Sequence, residues 1–292
     1  MNKVGIACVY FVSEEETWVY ELQQKLINKY SKNHKIKIYA AIVKAPEYIQ
    51  RFMEASPHFS IHDSQSEDPL PNRQHGENLS FLVKKAFEDG CDVAITLDPD
   101  SFPCNASWIS TMESKANAEG GICAVVREEL GDFHLPHPCG FCVTKTYYDK
   151  YGVNFYPKDA FFNSKLFLDF QESTGQRTDT GIGVAVDLWK NRVAWSKLKR
   201  SNKNNIHDVM AGIYGDIIFH VGGATRPPIF KNSMSNIFGS RLIKPMSEKP
   251  LVWRVYAYFL NRIVKKNKAL QTKMVKQLKE NPEDFIKYLK GH

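Results

Sequence analysis

Apolar residues along the chain keep two rhythms. Continuous aliphatic runs at Val4–Val12, Ile36–Val43, Val93–Leu97, Ile122–Arg127, Gly140–Thr144 and Ile213–Val221 read as strands, mostly buried on both faces. Phe59–His62 adds a short third strand. Between these runs the apolar positions recur at helical spacing. Trp18, Leu22, Leu26 and Ile27 make one stripe, and Phe81, Leu82, Ala86 and Phe87 another. Helices are predicted over Glu14–Tyr30, Pro46–Ala55, Gly76–Asp89 and Ala106–Ala118. Ser13 is a natural N-cap for the first, and Glu14, Glu15 and Glu16 suit the positive end of its dipole. Strands alternating with helices in this order predict an α/β fold, a Rossmann-like, mostly parallel sheet flanked by helices.

From Pro250 the rhythm is helical alone. Val252, Val255, Tyr256, Phe259, Leu260 and Ile263 share one face, with Arg254, Asn261, Lys265 and Lys268 opposite. A second helix runs to Glu280, and Asn281-Pro282-Glu283-Asp284 opens a third. Charge sharpens this division. Residues 241–292 hold 13 Lys and Arg against 4 Asp and Glu, so this stretch is at +9 in a chain of net +7, and the rest is at −2. The chain therefore divides into a catalytic domain, 1–240, and a basic amphipathic helical tail, 241–292. The tail suits peripheral contact with an anionic membrane surface, or packing on the domain or on a second copy in a homo-oligomer. Nucleic acid is not expected as a partner, because no aromatic-interleaved basic groove or binding motif accompanies the charge. Neither a signal peptide nor an unbroken apolar stretch of about 18 residues is present, which predicts a cytoplasmic protein. The 6 cysteines lie in or beside predicted strands and are expected to be reduced thiols.

Candidate chemistry begins where the Val93–Leu97 run stops at Asp98-Pro99-Asp100. Proline biases Asp98 to an extended conformation, so both carboxylates are expected on a strained strand end at the mouth of the sheet, where open α/β folds bind ligands. Paired carboxylates in a crevice call for a cation, and hard oxygen ligands suit Mg²⁺ or Mn²⁺ carrying a diphosphate. The plainer reading is that one aspartate caps the helix beginning near Asn105 or Ser107. The polar, Pro-rich loop from Asp63 to His75 delivers Arg73, His75 and Asn78 to a helix start, where free N–H groups favour anions, so Arg73 and Asn78 are candidates for the diphosphate. Asp63 is either a contact to a nucleotide base or a turn residue. His134, His137, Cys139 and Cys142 could be drawn as a zinc site, but they crowd nine residues that also read as a strand.

The apolar strand, LDPDSFP and then Trp108 on a helix resemble the D-x-D strand of GT-A glycosyltransferases, particularly the inverting family-2 group. The preceding HGENLSFLVKKAFEDG is similar to that group's helix before the strand, and the resemblance covers about residues 3 to 225. It implies a GT-A fold and a metal-dependent transfer of a sugar, with inversion, from a nucleoside diphosphate-sugar donor to a hydroxyl of a glycan or glycolipid acceptor. By position, Asp98 and Asp100 would bind the donor and Asp100 with His220 of FHVGGATR would hold Mn²⁺ or Mg²⁺. Arg226 would neutralise the leaving diphosphate, and Asp179 of TDTGIGVAVDLWKNR would be the catalytic base. Two places depart from the pattern: Thr178 stands where an acid is usual, and Ile42-Val43-Lys44-Ala45-Pro46 replaces the acidic end of the second strand. Asp187 is the other candidate base. Two rival readings are a sugar nucleotidyltransferase and a non-catalytic carbohydrate-binding or scaffold protein. The first requires a Gly-rich basic loop after the first strand, where this chain has FVSEEETW.

Overall fold

The computed structural model describes residues 2–222 and 250–291, the stretch 250–261 as backbone only. Four parallel strands form one half of the main sheet. β1 (Lys3–Phe11) lies between β2 (Lys35–Lys44) and β4 (Val93–Thr96), and β3 (Phe59–Asp63) extends the sheet beyond β2. On the other side, β7 (Asp132–Thr144) runs antiparallel to both β4 and β6 (Ile122–Arg127), while β8 (Ser196–Leu198) pairs parallel to β6. The resulting seven-stranded order is β3-β2-β1-β4-β7-β6-β8. A second sheet of three strands, β5 (Ser101–Pro103), β10 (Ile218–Gly222) and β9 (Met210–Tyr214), stands at the mouth of the first.

The helices that cover the sheet are α1 (Thr17–Tyr30), α2 (Glu47–Ala55), α3 (Pro71–Glu88), α4 (Trp108–Ala118) and α5 (Lys145–Tyr151). Three more, α6 (Asp159–Phe162), α7 (Lys165–Thr174) and α8 (Ile182–Asn191), follow before the tail helices α9 (Pro250–Glu280) and α10 (Pro282–Lys290). Alternation along β1 shows why its sequence reads as one unbroken apolar run. Val4 and Ile6 enter one core cluster with Trp108 and Met112 of α4, whereas Ala7 and Val9 enter another with Leu79, Leu82 and Val83 of α3. Gly5 lets α3 come close: a Cβ there would lie 2.6 Å from the Cβ of Ala86.

Several boundaries differ from the sequence reading, each for a local reason. Helix α3 starts at Pro71, not Gly76, because proline is well placed in a first helical turn and does not end the loop there. Strand β7 begins at Asp132, well before Gly140, its prolines notwithstanding. The run Ile213–Val221 is a hairpin and not one strand. Gly215 and Asp216 turn it at positive φ, +56° and +62°, as tight hairpins require. Strand β5 escaped notice because Ser101–Pro103 carries little apolar signal. All six cysteines are free and buried.

The far half of the tail is part of the protein's core. Met274 and Leu278 of α9 and Phe285, Ile286 and Leu289 of α10 share a cluster with Leu22 and Leu26 of α1 and Phe102, Ile213 and Phe219 of the small sheet. Lys290 Nζ donates to the carbonyls of Cys104 (3.2 Å) and Asp216 (2.8 Å). Leu289 is fully buried, so Leu289→Ala should destabilise the whole chain by about 2–5 kcal/mol in urea unfolding, as cavity formation in a core does. A tail that merely hung from the body would show no such loss. The apolar face at Val252, Val255, Tyr256, Phe259 and Leu260 lies outside the described side chains. Among the described residues no helix is long and apolar enough to cross a membrane.

Candidate metal centre and active site

The strand order reverses between β1 and β4, since β2 and β3 lie on one side of β1 and β4 on the other. Ligand crevices in open α/β sheets form at the carboxyl ends of strands at such a switch point. The D-x-D segment emerges there. Leu97 N still donates to Ala7 O (3.1 Å), and then Asp98-Pro99-Asp100-Ser101 closes a turn through Ser101 N to Asp98 O at 2.9 Å. Aspartate first and proline second are what a β-turn favours. The expected strain is absent at the two aspartates: the non-glycine residues at positive φ among the described residues are Arg192, Ala211 and Asp216. Gln23 of α1, fully buried, clamps the turn. Its Nε2 donates to Asp98 O and Ser101 O, each at 2.8 Å, while its Oε1 accepts from the Tyr10 hydroxyl at 3.0 Å. Neither aspartate caps the next helix. Ser107 occupies the cap of α4, and Asn105 Oδ1 accepts from Ser107 N at 3.0 Å.

The small sheet brings in the histidine. β10 pairs antiparallel with β5 so that His220 sits opposite Ser101, and Val221 N donates to Asp100 O at 2.9 Å. The His220 Nε2 then lies 3.3 Å from Asp100 Oδ1 and 3.9 Å from Asp98 Oδ2. Burial alone would lower the imidazole's pKa, but the Asp100 carboxylate and the Cys139 thiol outweigh it and hold the pKa well above the usual histidine value. Donor atoms of Asp98, Asp100 and His220 all fall within 4.8 Å of one another. Two carboxylates and an imidazole fit Mn²⁺, and also Mg²⁺ with waters completing its shell.

Asp179 is joined to α3, the helix that also meets Asp98. Asn72 Nδ2 donates to Asp179 Oδ1 (3.0 Å), and His75 Nε2 lies 3.4 Å from Asp98 Oδ1. Asn72 and His75, three residues apart, lie on one face of α3. Thr180 N also donates to Asp179 Oδ1, at 2.8 Å. The N-cap of α8 is Gly181, where a Cβ would meet Pro136 O at 2.5 Å, so Asp179 precedes the helix and does not cap it. Asp187 lies within α8, where burial raises its carboxyl pKa, and its charge bears on Tyr147 of α5.

The remaining expected residues are placed differently. Arg73 is held by Asp68 (Nη1 to Oδ2, 2.7 Å) and paired with Asp159. Asn78 is buried and secures the loop before α3, accepting from Gln65 N (2.7 Å) and donating to Ser64 Oγ (3.1 Å) and Gln74 O (2.8 Å). Asp63 is exposed at the end of β3, and Arg226 lies outside the described residues. The four proposed zinc ligands do not gather. His134 is exposed and Cys142 lies in the core against Ile95 and Cys123, while His137 and Cys139 come together with Asp98.

Sequence reasoning passed over Gln23, Asn72 and Arg127. Arg127, at the end of β6, has its Nε 3.9 Å from Asp132 Oδ2. Burial works against the guanidinium charge, and Cys139, Tyr214, Asp179 and Asp132 together outweigh it. No local signal marks Gln23 or Asn72, because each acts across the fold.

No protein-family model and no curated protein matches the chain. Solved structures that resemble it include a protein of Desulfovibrio desulfuricans provisionally described as a nucleotide-diphospho-sugar transferase, 10% identical, TM-score 0.43, covering 68% of this chain and 80% of that one. Another is a mannosyltransferase of Pyrobaculum calidifontis in complex with GDP-Man and Mn²⁺, 10% identical, TM-score 0.38, covering 54% of this chain and 48% of that one. A third is S. aureus TarS in complex with UDP-GlcNAc, 10% identical, TM-score 0.37, covering 53% of this chain and 49% of that one.

Proposed function

We propose that this chain is a glycosyltransferase of the GT-A kind, transferring a sugar from a nucleoside diphosphate-sugar donor to a hydroxyl acceptor on a glycan or glycolipid. One observation carries the reading: Asp98 and Asp100 of the turn after β4 and His220 of β10 converge within 4.8 Å at the topological switch point. A divalent cation there, Mn²⁺ or Mg²⁺, would supply Lewis-acid charge against the leaving diphosphate. The chain's own residues do the rest. Gln23 fixes the turn that presents both aspartates, and His75 Nε2 lies 3.4 Å from Asp98 Oδ1. Arg127 adds a fixed positive charge at the end of β6 beside Asp132, and Arg226 is a candidate for the diphosphate. Arg73 and Asn78 support the donor side by holding the loop ahead of α3. Asp179 accepts the proton of the acceptor hydroxyl as its oxygen attacks the anomeric carbon, and one displacement inverts that centre.

A thermal-shift panel of nucleoside diphosphates with and without Mn²⁺ tests this directly. Ligand at about 100 times its Kd stabilises the native state by about 2.7 kcal/mol, so UDP or GDP should raise the melting point, and Mn²⁺ should enlarge the shift. A response confined to nucleoside triphosphates would favour the nucleotidyltransferase. Binding of sugars without any hydrolysis or transfer of a sugar nucleotide would favour the non-catalytic reading.

A further inference from the structure

Beside Asp98 the crevice contains two donors that the transferase reading does not use. Thr96 of β4 pairs with Phe141 of β7, so Asp98, two residues beyond one, lies beside Cys139, two residues before the other. His137 and Cys139 lie two apart on β7, where its register against β6 shifts between the Ala124–Phe141 and Val125–His137 pairs. Both are buried, at 6% and 0% exposure, and their donor atoms lie with a carboxylate oxygen of Asp98 inside 4.8 Å. The backbone here is fixed: Thr96 Oγ1 donates to Pro138 O at 2.6 Å, which pins the residue between them. Cys139 N donates to His137 Nδ1 at 3.3 Å.

A carboxylate, an imidazole and a thiol do not make a Mg²⁺ site. Sulfur is a soft donor, and three such ligands with an open fourth position match a tetrahedral Zn²⁺ or Co²⁺ centre. The ordinary alternative is a core cysteine beside a core histidine, which explains apolar packing but not their convergence on a carboxylate. We propose that Asp98, His137 and Cys139 bind a thiophilic divalent transition ion of the Zn²⁺ class, in a site that shares Asp98 with the Asp100–His220 set. Binding forms a metal–sulfur bond and releases the thiol proton to solvent.

Titration of the full chain with Co²⁺, followed in the near ultraviolet, reads the sulfur bond itself. The expected result is a sulfur-to-cobalt charge-transfer band that saturates with one ion, bleaches on adding Zn²⁺ and withstands excess Mg²⁺. Cys139→Ser should abolish the band. His137→Gln keeps the thiol and should weaken Co²⁺ binding at least about ten-fold, since even outer partners of a metal ligand are worth about 10–100-fold. His220→Ala should leave the band in place. Co²⁺ bound to the wild type without a charge-transfer band, no Co²⁺ bound, or a band that persists in Cys139→Ser would each overturn the proposal. Should Cys139→Ser not fold, the wild-type band and its weakening in His137→Gln decide the matter. No nucleotide enters the experiment, so its failure leaves the transferase reading standing, and failure of nucleotide binding leaves the cobalt result intact.

Discussion

Asp100→Ala and His220→Ala are each expected to abolish the Mn²⁺-dependent part of nucleoside diphosphate binding, while the chain remains folded. The geometry separates the two consequences. Asp100 contributes to the fold through its carbonyl, which accepts from Val221 N at 2.9 Å, and alanine keeps that bond. Its carboxylate contributes to the crevice, 3.3 Å from His220 Nε2. Removing either side chain leaves two of the three donors in the Asp98–Asp100–His220 set, which weakens its hold on the ion. His220 is 7% exposed, so its alanine variant also leaves a cavity and loses some stability. Circular dichroism separates that cost from loss of function. Calorimetric titration of UDP and GDP, with and without Mn²⁺, gives the decisive number. If both variants bind the nucleotide with the wild-type Mn²⁺ enhancement, the metal lies elsewhere and the assignment fails.

Why some of this was legible in sequence and some was not follows from where the information lies. Strands buried on both faces announce themselves through unbroken aliphatic runs, so β1, β2, β4 and β6 were found nearly to the residue. The D-P-D turn was legible because proline and aspartate carry turn preferences of their own, although the same residues suggested strain that a hydrogen-bonded turn does not need. His220 was reached through its resemblance in chain order and then met Asp100 in space. Gln23 could not be found this way. It sits on a helix among Leu22, Gln24 and Leu26, and only the close approach of α1 to the turn gives it two carbonyls to hold. His137 and Cys139 were noticed in the wrong company, because spacing along the chain suggested four ligands, whereas strand pairing supplies Asp98 and sends Cys142 into the core. The covering of the tail stayed open in sequence for a similar reason. An amphipathic helix shows that one face will be covered, not by what, and Leu278 and Leu289 are covered by the small sheet and α1.

The role of Asp179 can be separated from its structural duties by one isosteric change. Its Oδ1 accepts from Asn72 Nδ2 at 3.0 Å and from Thr180 N at 2.8 Å, bonds that tie the start of α8 to α3. Asp179→Asn keeps a carbonyl oxygen for both donors, so a merely structural Asp179 would lose little by the exchange. A general base loses everything that matters, because an amide accepts no proton near neutral pH. General-base catalysis is worth about 10²–10⁴-fold, and the variant's kcat for transfer should fall by that order while donor affinity stays within a few-fold of wild type. Asp187→Asn is the control, since that residue lies within α8 with its charge on Tyr147. Loss of transfer in Asp187→Asn but not in Asp179→Asn would move the base to the helix interior. Equal transfer by wild type and Asp179→Asn would remove Asp179 from the chemistry, leaving it the tie between α3 and α8 that its hydrogen bonds already make it.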